Sequence, residues 1–301
     1  MFSILYMTDV LFTASTNDFV KLSASNKCFN ALRYLDNGTD VSNLELLIGQ
    51  DEYYFLMIFC QGIKKLKKDF FQRYTLAELY KAQSLQFPTD HHYCPFTLPG
   101  SFPKEMVSLD NLRRLDIRCN KIKVVPPEIL GLHQLHELQL HHNEIEVVPI
   151  ELYSMTNLQQ LDIQGNQIQV ISPLIGNLTN LEFLNLGYNQ LKVVPRELGK
   201  LVKMDRLIIY HNQLTEVPWE LCKLTKLRVL ELYHNQLISV PEQFCQLTNL
   251  YSLLMYQNNL KSLPVSFGSF PQHVTLNAYS NPGIFIPREI STIPHITVLK
   301  N

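Results

Sequence analysis

Three arrangements of side chains in this 301-residue sequence could carry chemistry. His211 and His234 stand in matching contexts in two similar stretches of chain, an arrangement in which two imidazoles could share a metal ion. Two ligands without a third Cys, His or carboxylate make a poor site, however. His91, His92 and Cys94 are close enough for an imidazole to activate a thiol, but a surface loop at a domain junction accounts for them better. Cys222 and Cys245 occupy matching places in the same two stretches and read as small-residue packing. No phosphate-binding P-loop, no dinucleotide-binding glycine fingerprint, and no HExxH, GxSxG or CxxC motif occurs. No catalytic residue, metal ligand or cofactor is assigned, and the chain is not expected to be an enzyme.

A fourth arrangement suits recognition. Tyr210, Tyr233, Tyr256 and Tyr279 recur at one fixed interval, each two places before an asparagine; Arg118, His141, Gln164 and Gly187 hold the same place earlier. The next position brings His142, Tyr188, His211, His234 and Gln257, and neighbouring positions bring Phe183, Arg206, Ile208, Val229, Glu231 and Leu254. Tyrosine offers large contact area, a polar tip and little side-chain entropy to lose, which is why it concentrates at binding hot spots. The expected contact set is Phe183, Tyr188, Arg206, Tyr210, His211, Val229, Tyr233, His234, Leu254, Tyr256 and Tyr279. Stacking that merely stabilises a sheet, at roughly 0.2–1 kcal/mol per cross-strand pair, is the competing explanation.

What positions these side chains is a repeat. Asn120, Asn143, Asn166, Asn189, Asn212, Asn235, Asn258 and Asn281 are each 23 residues from the next. Around them the apolar residues keep fixed offsets: Leu135, Leu138, Leu140, Ile145, Val148 and Leu152 in one coil become Leu227, Leu230, Leu232, Leu237, Val240 and Phe244 in another. The LxL stretch alternates with period two, so Leu138 and Leu140 face a core while Glu137, Gln139 and His141 face outward. One coil cannot bury its own leucines, so a core forms only when coils stack. Each asparagine is then placed to bond backbone groups of the turn leaving its strand.

Pro126, Pro149, Pro195, Pro218, Pro241, Pro264 and Pro287 follow the second apolar cluster, where they stop the sheet and suit the start of a short helical turn. Glu128, Glu151, Glu197, Glu220 and Glu289 sit two places on, at the positive end of that turn. One coil departs: Ser172 stands in the proline place and Pro173 follows it, which predicts a displaced backbone there.

The pattern LxxLxLxxNxLxxVPxxLxxL resembles the 23-residue class of leucine-rich repeats. That resemblance implies an α/β solenoid, a leucine-rich-repeat horseshoe with a concave parallel β-sheet, and places the outward residues on the concave face. Eight strands at about 4.8 Å give roughly 35–40 Å of surface, ample for a protein partner. Chains of this length with little beyond the repeats resemble the leucine-rich-repeat effectors of intracellular bacterial pathogens. This implies a virulence effector delivered into a host cell, binding and inhibiting or modulating a partner protein. The VPxEL coils also resemble Ras-suppressor-type repeat proteins, implying instead a scaffold for small GTPases.

The repeats are expected over residues 95–301, beginning with a partial coil marked by Leu98, Phe102, Pro103 and Met106. His273, Ala278 and Gly283 replace apolar consensus residues in the eighth coil, as in a C-terminal cap. Residues 1–94 have no in-phase asparagine and show helical patterns over Phe29–Leu35, Glu52–Tyr74 and Leu76–Leu85, which predicts a small helical N-terminal cap domain. Its Lys64, Lys65, Lys67 and Lys68 read as a solvated helix face.

With 26 basic and 27 acidic residues there is no excess charge to neutralise a nucleic acid. The apolar run Tyr53–Cys60 is too short to cross a bilayer. Met1–Ser15 lacks the basic start of a signal peptide and is broken by Asp9. Cys28, Cys60, Cys94, Cys119, Cys222 and Cys245 are scattered rather than clustered, which predicts reduced thiols in a cytosol. The sequons at Asn37 and Asn177 carry no weight in that setting.

Overall fold

A strand spanning only one LxL triplet has too few ladder hydrogen bonds to stand alone, and here each triplet becomes a strand only by lying beside the next. The computed structural model describes residues 79, 81–86, 102, 109 and 111–299. Two compact units are present: Met1–Gln83 with Pro103–Leu112 and Gly131–His133, and Ser84–Phe102 with Arg113–Leu130 and Gln134–Asn301. In the first, Leu79, Leu109, Leu112 and Leu132 are buried.

The second unit holds one parallel sheet whose spatial order is its sequence order. Its strands are β1 (Ser84–Gln86), β2 (Arg114–Asp116), β3 (Glu137–Gln139), β4 (Gln160–Asp162), β5 (Phe183–Asn185), β6 (Arg206–Ile208), β7 (Val229–Glu231), β8 (Ser252–Leu254), β9 (Val274–Asn277) and β10 (Ile296–Leu299). From β2 to β8 the partners lie one repeat apart, as in Leu184 opposite Leu207 and Leu207 opposite Leu230. The leucine and isoleucine rows are sealed, so the solenoid core expected from the repeat is present.

The asparagines are all buried, and from Asn143 to Asn281 each ties its coil to the one before. Asn212 is typical: its Oδ1 accepts from the Leu191 N–H at 3.0 Å, and its Nδ2 donates to the carbonyls of Leu186 at 3.0 Å and Ile209 at 3.2 Å. The same set recurs at Asn143, Asn166, Asn189, Asn235, Asn258 and Asn281.

Opposite the sheet each coil from β2 to β9 makes a short 3-10 turn, such as Arg196–Lys200 and Trp219–Lys223, and the one before β10 makes a single α-helical turn, Arg288–Ser291. The expected prolines stand at the N-caps, Pro195 with φ −70° and ψ 141°. Glu197 lies in the first turn, where its own backbone N–H lowers its pKa. The displacement expected at Ser172 does not occur. Ser172 adopts φ −63° and ψ 144°, the values of the prolines, and its Oγ accepts from the Leu174 N–H. A serine cap supplies through a hydrogen bond the conformation that proline supplies through its ring.

Successive turns touch along a row of Tyr153, Gly176, Gly199, Cys222, Cys245 and Gly268. A Cβ on Gly199 would meet the Glu220 carbonyl oxygen far inside van der Waals contact. Gly199→Ala is therefore expected to lower stability by about 1–3 kcal/mol, because backbone must move apart. A denaturant midpoint equal to the wild type would show the contact to be soft. Tyr153 interrupts the row: it is sealed, and burial pushes its phenol up to about 12.

Three expectations need correction. The helical pattern over Leu76–Leu85 ends early: Leu79 and Lys81 are helical, but Ser84–Gln86 is strand, with Leu85 buried between two exposed neighbours in strand alternation. This strand precedes residue 95, and Ser84 pairs with Arg114, so the first coil is longer than the repeat. The eighth coil is not the last, since β10 pairs with β9, Ile296 opposite Val274, after a slightly shortened coil. There His273 is exposed and Val274, sealed, takes over the apolar role. The remaining N-terminal helical patterns, the lysine run, His91, His92, Cys94, Leu98, Pro103 and Met106 lie outside the described residues; Phe102 is buried.

Candidate functional site

The outward face of the sheet divides along its length into two chemistries. Over β2 to β5 it is polar and its charges are satisfied. Arg114 pairs with Glu137 at 2.8 Å, and Arg118 Nε donates to Asp116 at 2.9 Å. Asn185 donates to Gln164 at 2.8 Å and to Asp162 at 3.3 Å. Burial raises the Asp162 pKa and lowers that of His141. A polar hollow of about 310 Å³ lies over Ser84, Gln86, Arg114, Asp116, Arg118 and Glu137, whose arginines are already paired.

Over β5 to β8 the same face is aromatic. Tyr210, Tyr233 and Tyr256 stack face to face, with ring centroids 4.4 and 4.3 Å apart. Beside them Tyr188, His211 and His234 form a second stack, at 4.2 and 3.8 Å. The two rows meet edge to face, at interplanar angles such as 79° for Tyr188 on Tyr210 and 74° for His234 on Tyr256. Six rings thus form a herringbone. Each contact of this kind contributes about 0.5–1.5 kcal/mol beyond area, so the cluster is held rigid before anything binds. Gly187 makes it possible: a Cβ there would meet the Tyr210 ring at 2.9 Å.

The second row depends on a backbone feature that sequence reasoning missed. The residue before each asparagine adopts positive φ: Cys119, His142, Gly165, Tyr188, His211, His234, Gln257 and Ser280 lie between 49° and 63°. Only Gly165 takes this left-handed conformation without penalty, and it alone could have signalled the column. The turn is needed to carry the asparagine back into the core, and it throws the preceding side chain outward beside the tyrosines. At Gln257, which has no ring contact, substitution by glycine is expected to raise stability by about 0.5–1 kcal/mol. His211→Gly is expected to gain nothing, because it loses the stacks on Tyr188 and His234. Equal shifts in thermal midpoint would show that those stacks contribute nothing.

Most of the expected contact set is brought together here. Phe183, Arg206 and Leu254 border the rings, with the Arg206 guanidinium 5.7 Å over the Phe183 ring. Val229, expected in the contact set, is buried at 7% exposure, and Ile208 is buried as well. Tyr279 continues the column but, among the described residues, stacks on no ring. Tyr188 belongs to the histidine row rather than the tyrosine row. His211 and His234 lie face to face, so their nitrogens occupy parallel planes instead of converging on one ion, and burial and then His234 lower the His211 pKa. Among the described residues no three His, Cys, Asp or Glu side chains are grouped to hold a metal, and no helix is long and apolar enough to cross a membrane. Glu231, in the middle of the aromatic half, was not singled out from sequence. The signal was an acid standing between Ile208 and Leu254 in an otherwise apolar stretch of one column.

Comparison with known proteins gives a consistent picture. A family model described as leucine rich repeat matches residues 110–168 and 202–260, and a model of two leucine rich repeats matches 156–196. No curated protein matches the sequence. Among solved structures, a leucine-rich-repeat protein of Leptospira interrogans is 30% identical with a TM-score of 0.59, over 65% of this chain and 56% of that one. A plant peptide hormone receptor, RGFR1, solved in complex with RGF2, is 28% identical with a TM-score of 0.57, over 67% of this chain and 38% of that one. The ectodomain of the Arabidopsis thaliana receptor kinase GASSHO1/SCHENGEN3, solved with CASPARIAN STRIP INTEGRITY FACTOR 2, shares the fold at 22% identity and a TM-score of 0.63, over 74% of this chain and 27% of that one. The chain spans 56% or less of the length of each of these structures.

Proposed function

The chain is a leucine-rich-repeat protein, and from that premise we propose that it is a non-catalytic protein-binding module whose partner seats on the aromatic half of the concave sheet face. Repeats of this family are typically protein-interaction modules without chemistry of their own. The observation that carries the reading is the six-ring herringbone. It is built outside the leucine core, where the repeat does not require aromatic residues, and large amphipathic rings on an exposed sheet face are the residue type that anchors protein partners.

The partner is regulated by being covered, in the manner of a virulence effector delivered into a host cell and acting in its reducing cytosol. Similarity to a bacterial leucine-rich-repeat protein supports that setting. The test is affinity capture from host-cell lysate and from lysate of the source organism, with the wild-type chain beside a folded Tyr210→Ala, Tyr233→Ala, Tyr256→Ala variant. A protein held only by wild type supports the reading. Capture by both overturns it, and capture that depends on bound guanine nucleotide favours a small-GTPase scaffold.

A further inference from the structure

We propose that the aromatic patch contains a cation subsite centred on Glu231, which the protein partner enters with an arginine or lysine side chain set among apolar neighbours. This deepens the reading above and rests on it. Glu231 ends β7, opposite Ile208 on β6 and Leu254 on β8. Tyr233 lies two places on along the same face; burial raises the pKa of Tyr210, Tyr233 and Tyr256, and the Glu231 carboxylate is near enough to add to the rise at all three. An acid has thus been set into the least polar part of the face.

Its pairing distinguishes it from the other acids. Asp116 and Glu137 each accept short charge-assisted bonds from an arginine. Glu231, 16% exposed at its side chain, accepts no hydrogen bond among the described residues, and its nearest cation, Arg206, stands 3.9 Å away and leans over Phe183. A carboxylate half withdrawn from water without a donor is destabilised in its charged form, and burial does raise its pKa. It is not sealed, since the described residues hold only one buried side-chain atom lacking a partner, the Gln272 Oε1. A guanidinium or ammonium group arriving from outside supplies the missing donors. The phenol oxygens around it accept further hydrogen bonds, and the aliphatic stem of the arriving side chain packs on Leu254. A bare metal ion is a poor occupant, because a single carboxylate does not make a coordination shell.

A displayed library of random peptides, selected on the full chain, tests this before any partner is identified. Wild type is expected to enrich peptides in which Arg or Lys neighbours aromatic or aliphatic residues. Glu231→Gln, which removes only the long pair with Arg206 and should melt as wild type does, is expected to weaken those peptides about tenfold. Replacing the peptide cation by norleucine is expected to weaken wild-type binding equally and to cost little more in the Glu231→Gln background. Peptides without a basic residue, recovery of none, or equal binding by Glu231→Gln overturns the subsite. Peptides that also bind the triple tyrosine variant overturn the aromatic surface itself, so the two failures are distinguishable.

Discussion

Replacing Tyr210, Tyr233 and Tyr256 together by alanine is expected to lower affinity for the captured partner at least a hundredfold, measured by titration calorimetry, while unfolding stays cooperative. Hot-spot tyrosines each cost about 2 kcal/mol or more when truncated, and a hundredfold loss corresponds to about 2.7 kcal/mol, so even strongly non-additive contributions reach it. The variant also loses two face-to-face stacks and the edge-to-face contacts with the second row. A stability loss of roughly 2–4 kcal/mol follows, but the sealed leucine rows are untouched. Position within the column matters: Tyr233, stacked on both faces, is expected to be more costly to remove than Tyr279, which is stacked on neither. If the triple variant binds as wild type does, the tyrosines are there for the sheet alone.

How far this surface could be read in advance depends on which physical signal each part leaves. The repeat period, the core and the asparagine ladder were legible because burial and buried hydrogen bonding restrict residue type at every coil: Leu207, Leu230 and Leu253 must be apolar, and Asn212, Asn235 and Asn258 must both donate and accept. The tyrosine column was legible for the opposite reason, since nothing in the fold requires aromatic residues there. Backbone conformation that many residue types can be forced into leaves little trace, so the positive-φ column was announced only by Gly165. Substitutions that reach one geometry by another route mislead, as Ser172 did by capping where proline was expected. Irregular coils escape a search for periodicity altogether: the lengthened step from β1 to β2 and the shortened step from β9 to β10 both preserve strand pairing while breaking the count. Glu231 stood in a legible column, but its lack of a hydrogen-bond donor could not be read there, because that depends on Arg206 leaning over Phe183.

The asparagine ladder and the aromatic patch are mechanically one device, and Asn212→Ala is the variant that exposes this. The substitution strands the buried Leu191 N–H and removes one of two amide donors at the Leu186 and Ile209 carbonyls, which keep Asn189 and Asn235. At about 1–3 kcal/mol for the one donor left unsatisfied, and about 0.5–1.5 kcal/mol for each bond lost at a carbonyl that keeps a partner, with some relaxation, a loss of roughly 2–4 kcal/mol is expected in denaturant unfolding. Gln213→Ala, next in sequence but exposed, should change stability by less than about 0.5 kcal/mol. Asn212→Asp keeps the acceptor but loses the donors and buries a charge, so it should be no milder than alanine. Because coils are coupled to their nearest neighbours, amide exchange is expected to quicken at Leu191 and in the coils on either side before it changes at β2. Asn212 also donates to the Tyr210 carbonyl at 3.1 Å and closes the turn that holds His211 at positive φ. Loosening it should therefore release both stacks at their centre and weaken partner binding without removing any contact residue. The tyrosine variant and the asparagine variant then separate by readout: the first loses affinity with exchange protection retained at the ladder amides, and the second loses both. A ladder variant that binds at full strength would mean that the rings hold their geometry without the turn beneath them.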